Sequence, residues 1–188
     1  MAQEIEIEYK VLLSKEKYDE LESKLPFPNH SITQINYYFE TNNFQLKKHK
    51  SALRIREKNN KFTLTLKQPH ENGILETHDP LSKDEFLSWI NNKPIPKPSI
   101  GQQLQKLTIN EYDLHYYGSL KTERKIFEQD DVLYMLDKSF YNGIIDYELE
   151  IEANSREVGY HAFRNLLEKF NIKVKRPITK IERFFNSL

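Results

Sequence analysis

Apolar and polar residues alternate along most of the chain. The alternation is regular in 4–13 (EIEIEYKVLL) and in 144–152 (IIDYELEIE). Segments with the same period of two are 33–40, 52–58, 61–67, 74–78, 112–128 and 131–137. This period is typical of a β-strand with one apolar and one polar face. The pattern therefore predicts about eight strands.

Short turn signals separate several of the predicted strands. Asn59-Asn60, Asn72-Gly73 and Asn142-Gly143 adjoin alternating segments, and Asn-Gly is a strong local signal for a β-hairpin. Strands joined in succession by hairpins form antiparallel meanders or barrels. We therefore expect an α+β fold: a closed eight-stranded antiparallel β-barrel with a polar lumen and flanking helices.

Helical periodicity appears in four segments, at 14–24, 82–91, 155–170 and the C-terminal TKIERFFNSL. Ser82 and Glu85 have the spacing of a capping box, which marks the start of a helix. The third segment predicts an apolar face formed by Val158, His161, Ala162, Leu166 and Phe170. The Pro-rich stretch 93–99 is too short to divide the chain, so we expect one domain over residues 1–188.

Composition excludes several classes of protein. The chain has 28 basic and 28 acidic side chains, so no net charge draws it to nucleic acid or membrane, and we expect neither partner. It has no cysteine, which excludes disulfides and thiolate metal sites. No segment approaches the ~20 apolar residues of a membrane span, and MAQEIEIEYK lacks the apolar core of a secretory signal. We expect a cytoplasmic protein, and its oligomeric state is unknown from the sequence.

Charged residues on the polar strand faces are sorted by sign. Residues two apart point to the same side of a strand. The first acidic ladder is Glu4, Glu6 and Glu8, which Lys10 follows, and the second acidic ladder is Asp146, Glu148, Glu150 and Glu152. The basic ladder is Arg54, Arg56 and Lys58, with Lys67 on the next strand. One such strand alone is most often a solvated face. Like charges two apart repel, however, so three ladders are better explained if they converge.

Convergence is possible in the lumen of a closed barrel, where eight strands leave room for side chains or one small ligand. A dry lumen is unfavourable, because burying each charge costs on the order of several kcal/mol. A polyanion together with a divalent cation offsets that cost. Carboxylates suit Mg²⁺ or Mn²⁺, whereas Arg and Lys hold phosphate oxygens by charge-assisted hydrogen bonds. The ladders therefore predict a site for a metal-chelated polyphosphate.

The same residues resemble the CYTH family, also called triphosphate tunnel metalloenzymes. That family includes thiamine triphosphatases, inorganic triphosphatases, a class of adenylate cyclases and fungal RNA triphosphatases. Glu6-x-Glu8-x-Lys10 is similar to its ExExK signature. Further matching elements follow in the family's order: QINYYFET at 34–41, LRIR at 53–56, LTLK at 64–67, Glu76, Thr122-x-Arg124, Asp137, Glu148-x-Glu150, and Lys180 with Arg183. The resemblance is to the small single-domain members from Gram-positive bacteria.

The resemblance implies roles for individual residues. One or two cations, Mg²⁺ or Mn²⁺, would be held by Glu6, Glu8, Asp137, Glu148 and Glu150. The phosphate chain would be held by Lys10, Arg54, Arg56, Lys67, Arg124, Lys180 and Arg183. Arg56 and Lys180 would also stabilise the charge of the transition state, and Glu76 or a second metal would position and deprotonate the attacking water.

Some placements stay open from the sequence. Lys125 stands beside Arg124, and the alternation does not decide which of the two faces the lumen. Glu4 and Glu152 extend their ladders outside the family pattern and are expected at the rim. The six histidines lack zinc-ligand spacing and are expected at the surface or in packing: His30, His49, His70, His78, His115 and His161.

The expected function is metal-dependent hydrolysis of a small triphosphate or polyphosphate. Inorganic triphosphate is preferred to nucleoside or thiamine triphosphate as the substrate. One alternative is an adenylate cyclase of the CYTH type, which needs an adenine pocket that the sequence does not single out. A second alternative is a non-catalytic sensor that binds a polyphosphorylated nucleotide, since binding alone uses the same charges.

Overall fold

The computed structural model describes residues 2–174 and 178–188. In these residues the strands are β1 (Ala2–Glu6), β2 (Glu8–Leu13), β3 (Ile32–Thr41), β4 (Ala52–Lys58), β5 (Lys61–His70), β6 (Gly73–Leu81), β7 (Leu114–Gln129), β8 (Val132–Tyr141) and β9 (Ile144–Ala153). The helices are α1 (Lys15–Lys24), α2 (Gln45–Lys48), α3 (Lys83–Ile90), α4 (Pro98–Lys106), α5 (Arg156–Lys169) and α6 (Lys180–Asn186). A 3-10 turn at Glu111–Asp113 precedes β7.

The chain forms two compact units. Unit 1 consists of Met1–Ile5 and Gln34–Leu120, and unit 2 consists of Glu6–Thr33 and Lys121–Leu188. Strand β7 contributes to both, because the boundary falls after Leu120. The single-domain organisation over residues 1–188 stays a prediction.

Unit 1 is an antiparallel sheet covered by helices. Its strand order is β1-β6-β5-β4-β3-β7, and the pairs β3–β4, β4–β5 and β5–β6 are antiparallel. Alternate residues of the central strands pack with α3 and α4 in one core, which includes Leu53, Ile55, Leu64, Leu66, Phe86, Trp89, Ile100 and Leu104. The charged residues lie on the other face of these strands, as the period of two predicts.

Unit 2 repeats this arrangement with other helices. Its strand order is β7-β8-β9-β2, and each of these neighbouring pairs is antiparallel. The apolar face packs with α1 and α5 in a second core, which includes Val11, Leu21, Leu136, Leu149, Ile151, Phe163, Leu166 and Leu167. The flanking helices are therefore confirmed.

Helices α3 and α5 differ in how closely they follow the sequence predictions. The capping box at α3 is confirmed, because Ser82 Oγ accepts from the Glu85 amide at 3.1 Å and Glu85 Oε2 accepts from the Ser82 amide at 2.7 Å. The predicted apolar face of α5 is shifted: Val158 is 44% exposed, whereas Gly159 and Phe163 are buried. A Cβ at Gly159 would lie 2.9 Å from Tyr9 Cε2, so the missing side chain lets α5 lie close to β2.

The prediction of a closed eight-stranded barrel is wrong. Nine strands lie in the described residues, in the hydrogen-bonded order β1-β6-β5-β4-β3-β7-β8-β9-β2. The reason is Ile7, where the predicted strand 4–13 divides in two: β1 pairs with β6, whereas β2 pairs with β9. The carbonyl of Ile7 accepts from the Ala153 amide at 3.2 Å. Within the described ranges, no helix combines the length and apolarity that crossing a membrane requires.

Candidate functional site

Each unit carries one cluster of charged side chains. We call the first the acidic cluster: it lies in unit 2 and contains Glu8, Asp137, Asp146, Glu148 and Glu150 with Lys10, Arg124, Lys180 and Arg183. We call the second the basic cluster: it lies in unit 1 and contains Arg54, Arg56 and Lys67 with Glu4, Glu76 and His78.

Strand register assembles the acidic cluster. Asp137 on β8 lies opposite both Arg124 on β7 and Glu148 on β9, and Glu150 lies opposite Lys10 on β2. The exposed fractions are 0% for Asp137, 1% for Glu148 and 6% for Glu150. Carboxylates this deeply buried require compensating partners.

Arg124 is one such partner. Its Nε and one terminal nitrogen donate to the two oxygens of Asp137 at 2.7 and 2.6 Å, and the same terminal nitrogen donates to Glu150 Oε2 at 2.5 Å. Lys125 instead contacts Glu22 of α1 at 2.7 Å and the Asn29 carbonyl at 3.1 Å. Arg124, and not Lys125, therefore faces the acidic cluster.

Lys180 is the central cation of this cluster. It is the first residue of α6, whose N-cap Thr179 accepts from the Glu182 amide. Its Nζ lies 2.7 Å from Asp137 Oδ2, 2.9 Å from Glu148 Oε1 and 2.5 Å from Glu150 Oε1. One ammonium group therefore contacts three buried carboxylates.

Arg183 follows Lys180 by one helical turn and anchors α6 to β9. Its Nε donates to Asp146 Oδ2 at 2.8 Å, and a terminal nitrogen donates to Glu148 Oε2 at 2.5 Å. Tyr141 also donates to Asp146 Oδ2, at 2.6 Å.

Of the other predicted residues, Lys10 forms an ion pair with Glu8, and Glu6 is half-buried at the end of β1.

Glu148 and Glu150 have different electrostatic environments. Burial raises the pKa of Glu148 to about 7, against the attraction of Lys180. Burial also opposes ionisation of Glu150, but Lys180, Arg124 and Lys10 together outweigh it and lower its pKa well below the usual range. Neighbouring carboxylates of like charge separate in this way, with one ionised and one that retains its proton more readily.

The acidic cluster has the ligand type of a divalent-cation site, although among the described residues the group whose donor atoms already lie within 4.8 Å of one another is Glu4, Glu76 and His78. The Lys180 ammonium stands in for such an ion, because it marks a position surrounded by three carboxylates. Carboxylate oxygens are the hard donors that Mg²⁺ and Mn²⁺ prefer. Asp137, Glu148 and Glu150 are the residues of this cluster that could hold a metal, with Glu8 near Lys10 on the adjacent strand.

The basic cluster is organised around Glu76. Lys67 lies opposite Glu76 in the β5–β6 register and forms an ion pair with it, and a terminal nitrogen of Arg54 lies 4.0 Å from the same carboxylate oxygen. Arg56 Nε donates to Asn36 Oδ1 at 3.1 Å. The Nε of Arg54 is buried and has no hydrogen-bond partner among the described residues. A buried donor of this kind is costly unless a ligand satisfies it.

Sequence reasoning missed His78. The imidazole contacts Thr65 through Nδ1, and Glu4 and Glu76 through Nε2. Glu4 was expected only at the rim, and His78 only at the surface or in packing. One signal could have indicated the contact with Glu76, since residues 76 and 78 are two apart and share a face of β6.

The chain is similar to known proteins. Residues 4–185 match the model of the CYTH domain. The chain is similar to a Bacillus subtilis (strain 168) protein named "Putative triphosphatase YjbK", with 41% identity over 186 residues, 98% of this chain and 96% of the relative.

Solved structures share the fold. A Bacillus halodurans protein described as a "putative adenylate cyclase" is 43% identical, with a TM-score of 0.94 over 98% of this chain and 100% of that one. The Hippeastrum protein HpAC1, described as having a dominant triphosphatase activity, is 21% identical, with a TM-score of 0.80 over 97% of this chain and 96% of that one.

Proposed function

Because the chain belongs to the CYTH family, we propose that it is a divalent-metal-dependent hydrolase of triphosphates, with inorganic triphosphate preferred to nucleoside or thiamine triphosphate. The observation that carries the proposal is the set of three buried carboxylates around the Lys180 ammonium. The name of the Bacillus subtilis relative supports a triphosphatase.

The metal ligands in this proposal are Asp137, Glu148 and Glu150, with Glu6 and Glu8 as further carboxylates. When bound, Mg²⁺ or Mn²⁺ would neutralise charge on phosphate oxygens. The carboxylates alone would repel a triphosphate, so cation and substrate binding support each other.

The phosphate ligands in this proposal are the basic residues Lys10, Arg54, Arg56, Lys67, Arg124, Lys180 and Arg183. The unsatisfied Nε of Arg54 supports an anion in the basic cluster. In phosphoryl transfer, charge spreads over the equatorial oxygens of the transition state, and guanidinium and ammonium groups aimed there lower the barrier. Arg56 and Lys180 are the proposed contributors to that stabilisation.

Glu76 is the proposed base that orients and deprotonates the attacking water. Each carboxylate oxygen has two acceptor positions. The ion pair with Lys67 therefore leaves acceptor capacity for a water molecule.

A phosphate-release assay tests the function as a whole. Tripolyphosphate, ATP, GTP and thiamine triphosphate are each incubated with Mg²⁺ or Mn²⁺, and we expect tripolyphosphate to give the highest kcat/KM. Cyclic AMP formed from ATP, without phosphate release from tripolyphosphate, would identify a cyclase, the activity suggested by the name of the 43% identical relative. Tight binding without turnover of any substrate would identify a sensor.

Removing the internal cation should strengthen metal binding. Lys180→Met is expected to raise the affinity for Mn²⁺ in the absence of phosphate by about tenfold, because the ammonium group competes for the same three carboxylates. A Mn²⁺ titration followed by electron paramagnetic resonance measures the change. In the wild type, metal binding would release the ammonium group for a phosphate oxygen.

The control for this experiment is Lys169→Met, which removes an equal charge from the last turn of α5. It should leave Mn²⁺ affinity unchanged. An unchanged or weaker affinity in Lys180→Met would show that Lys180 does not occupy the cation position.

A further inference from the structure

His78 connects two carboxylates of the basic cluster. Its Nε2 lies 3.0 Å from Glu4 Oε1 and 3.4 Å from Glu76 Oε2, and its Nδ1 lies 3.0 Å from Thr65 Oγ1. The ring is mostly buried, with 20% of the side chain exposed. His78 belongs to neither acidic ladder and is not one of the proposed phosphate ligands.

The partners of the ring define where its hydrogen lies. Both groups that face Nε2 are carboxylates, which only accept hydrogen bonds when ionised. Nε2 must therefore carry a hydrogen in these contacts. The Thr65 hydroxyl suits either state of Nδ1, because it can donate to the neutral ring or accept from the charged ring.

The Glu76 carboxylate has nitrogen groups beside both of its oxygens. Lys67 and Arg54 lie beside its Oε1, whereas His78 lies beside its Oε2. A carboxylate contacted at one oxygen can still rotate, whereas contacts at both oxygens restrict that rotation. A partner that orients a functional group in this way acts through that group.

We propose that His78 is a positioning residue: hydrogen bonds to Glu4 and Thr65 fix the ring, and its Nε2, 3.4 Å from Oε2 of Glu76, limits the orientations of that carboxylate and so aims Glu76 at the attacking water. The role rests on the proposed function, in which Glu76 is the base. The hydrogen-bonded arrangement does not depend on that function and can be measured separately.

A metal ion is the competing occupant. One donor atom from each of Glu4, Glu76 and His78 lies within 4.8 Å of the others. However, Glu76 is already paired with Lys67 and lies near Arg54, which opposes a further cation. A metal would also need the lone pair of Nε2, where the contacts require a hydrogen.

Steady-state kinetics on tripolyphosphate test the positioning role. His78→Leu is expected to lower kcat about tenfold and to leave KM within about twofold, because Glu76 stays present but loses its orientation. His78→Gln is expected to recover activity to within about threefold of wild type, because its amide N–H can donate to Glu76. Glu4→Ala, which removes a hydrogen-bond partner of His78, should lower kcat by about threefold.

The matched control is His70→Leu, at the exposed end of β5, where the ring nitrogen Nδ1 accepts from the Asn72 amide at 3.1 Å. Its kinetics should match wild type. Equal losses in His78→Leu and His78→Gln, or a rise in KM that accounts for the loss, would overturn the positioning role.

Nitrogen-15 NMR of the histidine rings separates this inference from the proposed function. In the metal-free protein, His78 should show a hydrogen on Nε2, and Glu4→Ala should shift that signal even if the protein hydrolyses nothing. A ring without hydrogen on Nε2 would overturn the proposal. So would binding of Zn²⁺ or Mn²⁺ that both His78→Leu and Glu4→Ala remove.

Discussion

Replacing Glu150 with glutamine is expected to remove hydrolysis of tripolyphosphate and to destabilise the metal-free protein. Activity should fall at least about 100-fold, because a ligand of the proposed cation is lost. Stability should fall by roughly 3 kcal/mol, because Lys180 and Arg124 lose a buried partner at 2.5 Å each.

Glu148→Gln provides the matched comparison. Activity should fall by a similar factor, about 100-fold, because the same cation loses a ligand. The metal-free protein should lose less stability than Glu150→Gln does. Lys180 and Arg183 lose a partner, but burial raises the pKa of Glu148 to about 7, so the fold disfavours the charged form of this carboxyl. Neutral glutamine removes that cost at pH 7.5.

The pH dependence of stability has a sign that follows from the pKa of Glu150. The pKa of Glu150 is lowered in the fold, so its stabilising contribution is present above its ordinary pKa and is lost as the pH falls. The stability difference between wild type and Glu150→Gln should therefore shrink on acidification. Urea unfolding at pH 7.5 and pH 3 in the presence of a chelator measures it.

The control is Glu168→Gln, an exposed carboxylate of α5 that pairs with Arg164. Both activity and stability should stay close to wild type. Unchanged metal dependence of activity in Glu148→Gln and Glu150→Gln would contradict the assignment of the acidic cluster to the metal.

Tripolyphosphate is expected to raise the melting temperature even without metal. The basic cluster has a buried Arg54 Nε without a partner among the described residues, and an anion that binds only the folded state stabilises it. At about 100 times the dissociation constant, linkage adds roughly 2.7 kcal/mol. For a protein of this length that corresponds to roughly 5–11 °C.

Differential scanning fluorimetry with a chelator measures this shift. Orthophosphate at equal concentration should give a much smaller shift, because it reaches fewer basic groups. Arg54→Ala and Arg56→Ala should shrink the tripolyphosphate shift, whereas Lys61→Ala, at the exposed start of β5, should preserve it. Equal shifts with orthophosphate and tripolyphosphate would show that the protein does not recognise a phosphate chain.

The approximate strand segments, and the side of each strand on which a residue lies, follow from the sequence alone. Alternation is a local property, because successive side chains of any strand point to opposite faces. Glu148 and Glu150 could therefore be assigned to one face of β9, and Leu149 and Ile151 to the other, before any contact was known. The capping box of α3 is equally local.

The strand count and the sheet edges required the structure. The alternation in 4–13 continues through Ile7 without a break, yet β1 and β2 pair with different strands. Pairing depends on which distant segment supplies the opposite backbone groups, and no short window of sequence contains that information.

The partners of individual charges were also decided by tertiary structure. Lys180 lies 30 residues from Glu150 in sequence, and Glu4 lies 74 residues from His78, yet each pair is in contact. Arg124 and Lys125 are adjacent and both basic, and only the positions of Asp137 and Glu22 distinguish them. The sequence determined which residues carry charge and which side of a strand they occupy, whereas packing between distant segments decided which charges meet.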